Sequence, residues 1–377
     1  MDILNFIWTN GASFLFILTV IVFVHELGHY LVAKRNGVRV EVFSVGFGPE
    51  LFGWNDRSGT RWKLSLLPLG GYVKMFGEGG AAKSPDAPEL SAEDKAVSFH
   101  HKRVGQRAAI VAAGPIANFF LAIVILTAMF SIVGQPFTPT DVGAVQPGSA
   151  AEQAGLQPGD VIRSIDGSRT ERFEDVQRIV RMNPDVPLRM TVERDGRDMT
   201  LTATPQRSEL TDRFGNREKV GMLGVSRTGS SAYTRYDPAT ALWRASQETF
   251  RMSLFTLQAV GQIVNGSRSA EDLGGPIRIA QMSGQVAEGH IADVFWFLAV
   301  LSINLGLINL FPVPMLDGGH LMFYGIEALR GRPLSERVVE NGFRVGLGLV
   351  LTLFVFVTYQ DLMRFEGVVA FFKGLMT

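Results

Sequence analysis

The sequence predicts a polytopic α-helical membrane protein with about four transmembrane helices, a membrane-associated β-hairpin region and an extracytoplasmic α+β domain. Three observations predict this class. The chain has long uncharged apolar stretches, apolar and polar residues alternate after the first apolar stretch, and a polar, turn-rich segment precedes the third apolar stretch. The composition agrees, because 46% of the 377 residues are hydrophobic and only 19% are charged. Such a chain is more apolar than an average soluble domain.

Four apolar stretches have about the length that a bilayer requires. They cover residues 3–31, 108–133, 294–310 and 345–359, and the last is the shortest. The first lacks the basic start and the small-residue cleavage site of a signal peptide. Basic residues cluster at 34–39, 102–107 and 330–344, which all fall on one side if there are four spans. The positive-inside rule makes that side cytoplasmic, so both termini and residues 134–290 are expected to face outward.

The end of the first apolar stretch carries the sequence His25-Glu26-Leu27-Gly28-His29. Residues four apart share one face of a helix, so His25 and His29 can offer two nitrogens to one Zn²⁺. Glu26 then lies beside them as the expected catalytic base. Charged groups at membrane depth are costly and call for a compensating partner. The motif therefore predicts hydrolytic zinc chemistry at the membrane.

A third zinc ligand is expected in the stretch from Asn309 to His320, since a catalytic zinc usually takes three protein ligands. Two prolines interrupt a membrane helix there, next to Asp317. Irregular backbone at membrane depth persists only where it is buried in protein or lines a wet cavity. We therefore predict Asp317 as the third ligand, with His320 as the alternative. In a competing interpretation, the prolines and glycines of this stretch simply end a helix at the interface and Asp317 is solvated.

Composition excludes several other chemistries. Cysteine is absent, which removes disulfides, thiolate zinc ligands and cysteine nucleophiles. The formal net charge is zero, so nothing in the charge balance indicates a nucleic-acid partner. The alternative functional classes are a catalytically inactive membrane scaffold, a metal-binding transporter and a soluble zincin behind a signal peptide. The soluble zincin is disfavoured because its motif would lie away from the apolar stretch. The scaffold is disfavoured because the complete set of zinc and base residues is present, and the transporter because it has no obvious use for Glu26.

Taken with Gly114-Pro115-Ile116-Ala117-Asn118 in the second stretch, these motifs resemble the site-2 protease family of intramembrane zinc metalloproteases, and most closely its bacterial regulator-of-sigma-E branch. The resemblance covers nearly the whole chain. It implies one Zn²⁺ per chain held by His25, His29 and Asp317, Glu26 as the catalytic base, and Asn309 as a residue that holds the substrate backbone. Asn118 is expected, with Asn309, to line the path of water and substrate.

The same resemblance implies where the protein acts and on what. The expected location is the bacterial inner membrane, with the zinc near the cytoplasmic side. The expected substrates are single-span membrane proteins embedded in the lipid bilayer, such as an anti-sigma factor already cut by a site-1 protease, and remnant signal peptides.

Residues 142–205 alternate strand-like and turn-like segments, with Asp166-Gly167 and Asp195-Gly196 as hairpin turns. This pattern resembles a circularly permuted PDZ domain. Such domains capture extended chains or C-termini, so the backbone of Val142, Gly143, Ala144 and Val145 is expected to bind substrate. The alternative is a domain that acts only as a steric filter. Enteric members of the branch carry two such domains, whereas this chain has room for one.

Other segments complete the prediction. Residues 40–47 and 61–66 alternate and predict one or two hairpins near the active site, whose free edge could receive an unwound substrate. Residues 79–94 resemble a flexible linker. Residues 238–264 have the spacing of an amphipathic helix, which either packs on the PDZ-like domain or lies on the membrane surface. Residues 272–280 are expected to form a re-entrant or hinge loop.

The predicted boundaries divide the chain into nine parts. They are the first transmembrane helix (1–35), a cytoplasmic-side loop with hairpins and linker (36–103), the second transmembrane helix (104–134), the PDZ-like domain (140–206), extracytoplasmic strands with an amphipathic helix and hinge loop (207–290), the third transmembrane helix (291–320), a cytoplasmic loop (321–343), the fourth transmembrane helix (344–362) and a C-terminal tail (363–377).

Overall fold

The structure is a computed structural model that describes residues 3–77, 90–137, 139–170, 172–211, 217–227, 232–265 and 274–363. In chain order, these residues form α1 (Ile3–Arg35), β1 (Val40–Asn55), β2 (Arg61–Met75), α2 (Ala92–Val97), α3 (Val104–Ile132), β3 (Gln135–Phe137), β4 (Val142–Val145), α4 (Ala150–Gln153), β5 (Val161–Ile165), β6 (Ser168–Arg169), α5 (Phe173–Met182), β7 (Leu188–Arg194), β8 (Arg197–Ala203), β9 (Gln206–Thr211), β10 (Arg217–Met222), β11 (Val225–Arg227), β12 (Ala232–Thr234), α6 (Pro238–Val264), α7 (Pro276–Glu288), α8 (Ile291–Asn309), α9 (Asp317–Arg330) and α10 (Glu336–Met363). The chain divides into two compact units. One comprises Met1–Met129, Ala239–Asn265 and Ala270–Thr377, and the other Phe130–Pro238 with Gly266–Ser269.

Four helices of the described part of the chain, α1, α3, α8 and α10, are long and apolar enough to cross a membrane. The four predicted apolar stretches therefore all lie in helices. The fourth was predicted too short, because the helix continues through the polar residues before it and begins at Glu336. The part predicted as one span over 291–320 is two helices, because α8 ends at Asn309 and α9 begins at Asp317. Pro312 and Pro314, which lack the N–H that a helix needs, lie in the break.

Strands β1 and β2 form a sheet in which one segment is paired on both sides. Residues 42–45 are in register with residues 71–74 and also with residues 61–64. Residues 50–55 pair with residues 61–65 on the far side. Residues 71–74 and residues 50–55 are therefore the two edges of the sheet. The prediction of one or two hairpins in this region is correct in type but missed this double pairing.

The turn between β1 and β2 is tied to α1 through Asp56. Its carboxylate accepts hydrogen bonds from Tyr30 Oη at 2.7 Å and from Trp62 Nε1 at 3.2 Å. It also accepts bonds from the backbone amides of Ser58 and Thr60. Burial alone would raise the pKa of Asp56, but these hydrogen bonds outweigh it and hold the pKa well below its usual range. The sheet is thereby fixed against the helix that carries the His-Glu-His motif.

The second unit is built on the four-stranded sheet β6-β5-β7-β8. Ile162, Ile165, Met190 and Val192 from this sheet are fully buried, and helix α5 adds Val176 and Val180. Both predicted Asp-Gly turns are present, with positive φ at Asp166, Gly167, Asp195 and Gly196, as such hairpin turns require. The unit is larger than the predicted 140–206, because β11 pairs with β4 and Leu223 joins the same core.

An ion pair between the buried Asp160 and the partly exposed Arg194 lies at one end of this sheet. Arg194 donates from Nε to Asp160 Oδ1 at 2.7 Å and from Nη2 to Asp160 Oδ2 at 2.8 Å. The backbone amide of Gln157 donates to Oδ2 as well, at 2.8 Å. Burial raises the pKa of Asp160, but the bonds from Arg194 and Gln157 are stronger and lower it overall.

Two of the segments predicted as irregular contain helices. The predicted linker 79–94 ends in α2, whose N-cap Ser91 accepts a hydrogen bond from the amide of Asp94; residues 79–89 lie outside the described residues. The predicted hinge 272–280 is helical from Pro276, because a proline in the first turn loses no helical hydrogen bond. The carboxylate of Asp361 in α10 accepts hydrogen bonds from the backbone amides of Gly275, Ile277 and Arg278 at the start of α7. The predicted tail lies outside the described residues beyond Met363.

The predicted amphipathic helix is present as α6, with the predicted bounds. Thr256 on this helix donates from Oγ1 to Asn304 Oδ1 of α8 at 3.0 Å. Its apolar stripe is exposed, including Trp243, Phe250 and Leu254.

Candidate metal centre

Helix α1 places both histidines of the motif on one face. His25 Nε2 and His29 Nε2 lie 3.2 Å apart, and both side chains are buried. This is the geometry that the spacing of four predicts.

Asp317 completes the cluster from the other end of the chain. Its Oδ2 lies 3.1 Å from His25 Nε2 and 3.5 Å from His29 Nε2. The residue is the first of α9, and it follows a break in which Met315 has a φ of 93°. This left-handed conformation is rare for a residue with a side chain and marks a constrained backbone. Asp317 is therefore held at the cluster and does not lie in solvent at a helix end.

The three side chains fit a zinc ion. Zinc bonds of 2.0–2.2 Å in tetrahedral geometry separate ligand atoms by about 3.3 Å. The three separations found here, 3.1, 3.2 and 3.5 Å, lie around that value. Asp317 Oδ2 is also buried without hydrogen-bond geometry to any partner, which is costly for a carboxylate unless a cation compensates it. Among the described residues, this is the group of histidine and acidic side chains close enough to hold a metal.

A cavity of about 360 Å³ adjoins the three ligands. Glu26 lines it beside His25 and His29, and Val73 lines the same cavity. Asn309, at the end of α8, lines the same cavity. His320, the alternative ligand, also lines the cavity, but its ring packs against Phe343 with centroids 5.0 Å apart and it is not part of the ligand cluster.

Comparison with known proteins identifies the family. The profile of Peptidase family M50 matches residues 13–353. The chain belongs to peptidase family M50, the site-2 protease family of zinc metalloproteases. It is a zinc metalloprotease, and Zn²⁺ is its metal. The resemblance seen in the sequence is thereby confirmed.

Individual relatives agree with this assignment. A Rhizobium meliloti protein whose name places it among the zinc metalloproteases is 48% identical over 93% of this chain and 95% of its own. Metalloprotease MmpA of Caulobacter vibrioides is 39% identical over 97% of this chain and 98% of its own. Among solved structures, the PDZ domain of an SdrC-like protein from Listeria monocytogenes is 14% identical, with a TM-score of 0.19, over 24% of this chain and 88% of that one.

In this M50 protease, α1 and α3 approach closely where the ligands lie. A Cβ atom on Gly114 would overlap the His29 ring and come within 2.8 Å of His25 Cε1. A Cβ atom on Gly28 would overlap the Ala113 carbonyl in the same way. Small residues allow such contact between membrane helices. Gly114 lies in the Gly114–Asn118 motif, but its role is not visible in the sequence, because the contact depends on how two distant helices pack.

The second nitrogen of each histidine also has a neighbour on α3. His29 Nδ1 lies 2.9 Å from the carbonyl oxygen of Ile110, which fixes the ring orientation. No sequence signal marks a backbone carbonyl for this role. His25 Nδ1 lies 3.2 Å from Asn118 Nδ2. Asn118 is completely buried behind His25 and is not among the residues that line the cavity, and its expected contact with substrate stays a prediction.

The backbone of Val142–Val145 is already used within the second unit. The amide of Val142 donates to Asp160 O at 2.8 Å, and β4 pairs with β11. The amide of Gln146, directly after the strand, donates to Gly224 O. One edge of β4 is therefore paired with β11, and the expectation that Val142, Gly143, Ala144 and Val145 receive a substrate carboxylate stays a prediction.

Proposed function

We propose that this protease hydrolyses peptide bonds within the transmembrane segments of other membrane proteins. The observation that carries the proposal is the position of the catalytic set. Glu26, the two histidines and Asp317 line one cavity, and they are carried by α1 and by the first residue of α9. Helix α1, and helix α8 before the break that precedes Asp317, are long and apolar enough to cross a membrane. This supports a reaction at membrane depth on a substrate segment that is itself buried in lipid.

The residues have complementary roles in hydrolysis. Zinc, when held by His25, His29 and Asp317, polarises the scissile carbonyl and makes water more acidic. Glu26 accepts a proton from the attacking water as the new C–O bond forms. It then delivers that proton to the leaving nitrogen as the C–N bond breaks. Asn309 lines the cavity, and its amide can hydrogen-bond the substrate backbone.

The edge of the β1–β2 sheet offers a means of holding an unwound substrate. A transmembrane helix keeps its carbonyls in internal hydrogen bonds, so it has to unwind before it can be cut. Residues 71–74 pair with β1 on one side only, and Gly70, Gly71, Tyr72 and Val73 line the cavity next to Glu26. An extended substrate segment added at this edge would lie beside the base.

Proline substitution tests the role of the edge. Val73→Pro removes one backbone N–H from the edge of the sheet that lines the cavity. Leu51→Pro makes the same change at an exposed residue of the opposite edge. We expect Val73→Pro to retain zinc and lose cleavage, and Leu51→Pro to retain both. If Val73→Pro cleaves at the wild-type rate, the edge does not bind substrate. If it loses zinc, the strand is only structural.

The substrates we propose are single-span membrane proteins, including an anti-sigma factor after a first cut by another protease, and remnant signal peptides. We propose the bacterial inner membrane as the location, with the metal centre near the cytoplasmic side and the PDZ-like unit and both termini in the periplasm. The basic residues that flank the spans support this orientation. The PDZ-like unit then either binds the trimmed substrate or excludes untrimmed ones.

Orientation can be measured directly, because the natural chain has no cysteine. We expect Asp198→Cys, in the exposed turn-side end of β8, to react with a membrane-impermeant maleimide in spheroplasts. We expect Lys95→Cys in α2 to react only after lysis. The reverse labelling pattern would invert the proposed topology.

The proposed reaction is tested by locating the cut. The purified protein, reconstituted into vesicles with zinc, is given a panel of single-span proteins, and the products are identified by mass spectrometry. We expect new termini within the apolar segment. Products cut only in regions outside the bilayer would contradict intramembrane cleavage.

A further inference from the structure

His25 can bind zinc through Nε2 only if its other nitrogen is arranged correctly. A neutral imidazole carries one hydrogen, so a ring that uses the Nε2 lone pair for a metal carries its hydrogen on Nδ1. That Nδ1–H needs an acceptor, since it is buried with the rest of the side chain. For His29, the acceptor is the carbonyl of Ile110.

The neighbour of His25 Nδ1 is the side-chain amide of Asn118. The NH₂ group is the nearer end, at 3.2 Å, and it can only donate. In that orientation, two N–H groups would face each other when the metal is bound. At the same time, the carbonyl end of this amide, Oδ1, is buried without any hydrogen-bond partner. A buried polar group left unpaired is destabilising.

Rotating the Asn118 amide by half a turn separates the two facing N–H groups and gives the carbonyl oxygen a donor, while the NH₂ group takes the position that Oδ1 held. The rotation exchanges the two ends of nearly identical shape, so that Oδ1 faces His25 Nδ1 and gains a donor. The residue itself is anchored, because Ser302 Oγ of α8 donates to the Asn118 backbone carbonyl at 2.8 Å. The amide can therefore turn while its position stays fixed.

We propose that Asn118 is a positioning residue that accepts the Nδ1–H of His25 and so keeps Nε2 available to zinc. Ile110, Gly114 and Asn118 are spaced by four and lie on one face of α3. They act on the ligands in sequence along that face: Ile110 orients His29, Gly114 leaves space for both rings, and Asn118 orients His25. Outer partners of this kind typically change metal affinity by about 10- to 100-fold.

Two substitutions at position 118 separate this role from packing. Asn118→Leu keeps the approximate size but removes the acceptor, whereas Asn118→Asp keeps the shape and can only accept. Zinc affinity of the purified full-length protein is measured by competition with a chelator. We expect Asn118→Leu to weaken zinc binding by about 10- to 100-fold and Asn118→Asp to bind at least as tightly as wild type.

The opposite result would overturn the proposal. If Asn118 only fills space, Asn118→Leu keeps the wild-type zinc affinity, whereas the buried carboxylate of Asn118→Asp lowers the zinc affinity. If its NH₂ group donates to His25, Asp also weakens binding. Should Asn118→Leu fail to fold, Asn118→Asp decides alone between these outcomes. Asn304→Leu, which removes a polar side chain of α8 bonded to Thr256, is the control and should leave zinc affinity unchanged.

A spectroscopic readout is independent of activity. In protein labelled with ¹⁵N-histidine and saturated with zinc, we expect the Nδ1–H proton of His25 to resonate at low field in wild type and in Asn118→Asp, where it has an acceptor, and to move upfield in Asn118→Leu. The same Nδ1–H shift in all three proteins would contradict the proposal.

Discussion

Gly114 of α3 faces the imidazole of His29 so closely that a single added carbon at position 114 would overlap the ring. The same carbon would lie 2.8 Å from His25 Cε1. The positions of the His25 and His29 rings on α1 therefore depend on α3 having no side chain at position 114. Packing between α1 and α3 is therefore part of the metal site.

Adding that carbon should damage the site. We expect Gly114→Ala to weaken zinc binding by about 10- to 100-fold, because the histidine rings have to move from their ligand positions. Gly105→Ala on the same helix is the matched control, since a Cβ atom there meets open space. Zinc content after dialysis against a weak chelator measures both variants. Equal zinc in the two would show that the contact does not shape the site.

The turn before Asp317 gives a second prediction of the same kind. A Cβ atom on Gly318 would overlap the carbonyls of Leu310 and Phe311, so Gly318→Ala should displace the start of α9 and with it Asp317. We expect loss of stoichiometric zinc and of cleavage. A Cβ atom on Gly325, later in α9, would have no atom within 4 Å. Gly325→Ala should therefore retain zinc and cleavage and gain up to about 1 kcal/mol in helix stability. A Gly318→Ala variant with one zinc per chain would contradict this account of the turn.

The pair of Asp160 and Arg194 makes the second unit sensitive to acid. The pKa of Asp160 is lower in the folded state, so its stabilisation is complete above about pH 4, the unfolded value, and is lost as pH falls below it. Asp160→Asn should cost about 2 kcal/mol at neutral pH and remove this part of the acid sensitivity. Hydrogen exchange of the β5 and β7 amides measures the effect locally. Asp198→Asn, an exposed change in the same sheet, should leave exchange unaltered.

The features that the sequence predicted well are those controlled by local chemistry. The spacing of His25 and His29 follows from helix periodicity alone, and the Asp-Gly turns follow from the backbone that each residue tolerates. Asp317 was predictable because prolines beside an acid are unusual in an apolar stretch. These signals need no knowledge of distant neighbours.

The features that the sequence did not predict depend on contacts between distant segments. Asn118 was expected near the substrate, but the rotation of α3 about its axis points it at the back of His25. Val142–Val145 was expected to be strand-like and to bind substrate through its backbone, but its pairing with β11, about eighty residues later, was not predicted. Periodicity shows that a strand exists without identifying its partner. Helix rotation and strand partners are decided by packing of the whole chain.

The most direct test of the account is the substitution Glu26→Gln, which keeps the size of the side chain and removes its ability to accept a proton. Wild type and variant are both quantified for zinc and given the same single-span substrates in vesicles. We predict one zinc per chain in both proteins and a cleavage rate about 10²- to 10⁴-fold lower in the variant. Cleavage at the wild-type rate by a fully zinc-loaded Glu26→Gln protein would contradict the role of Glu26 as the base.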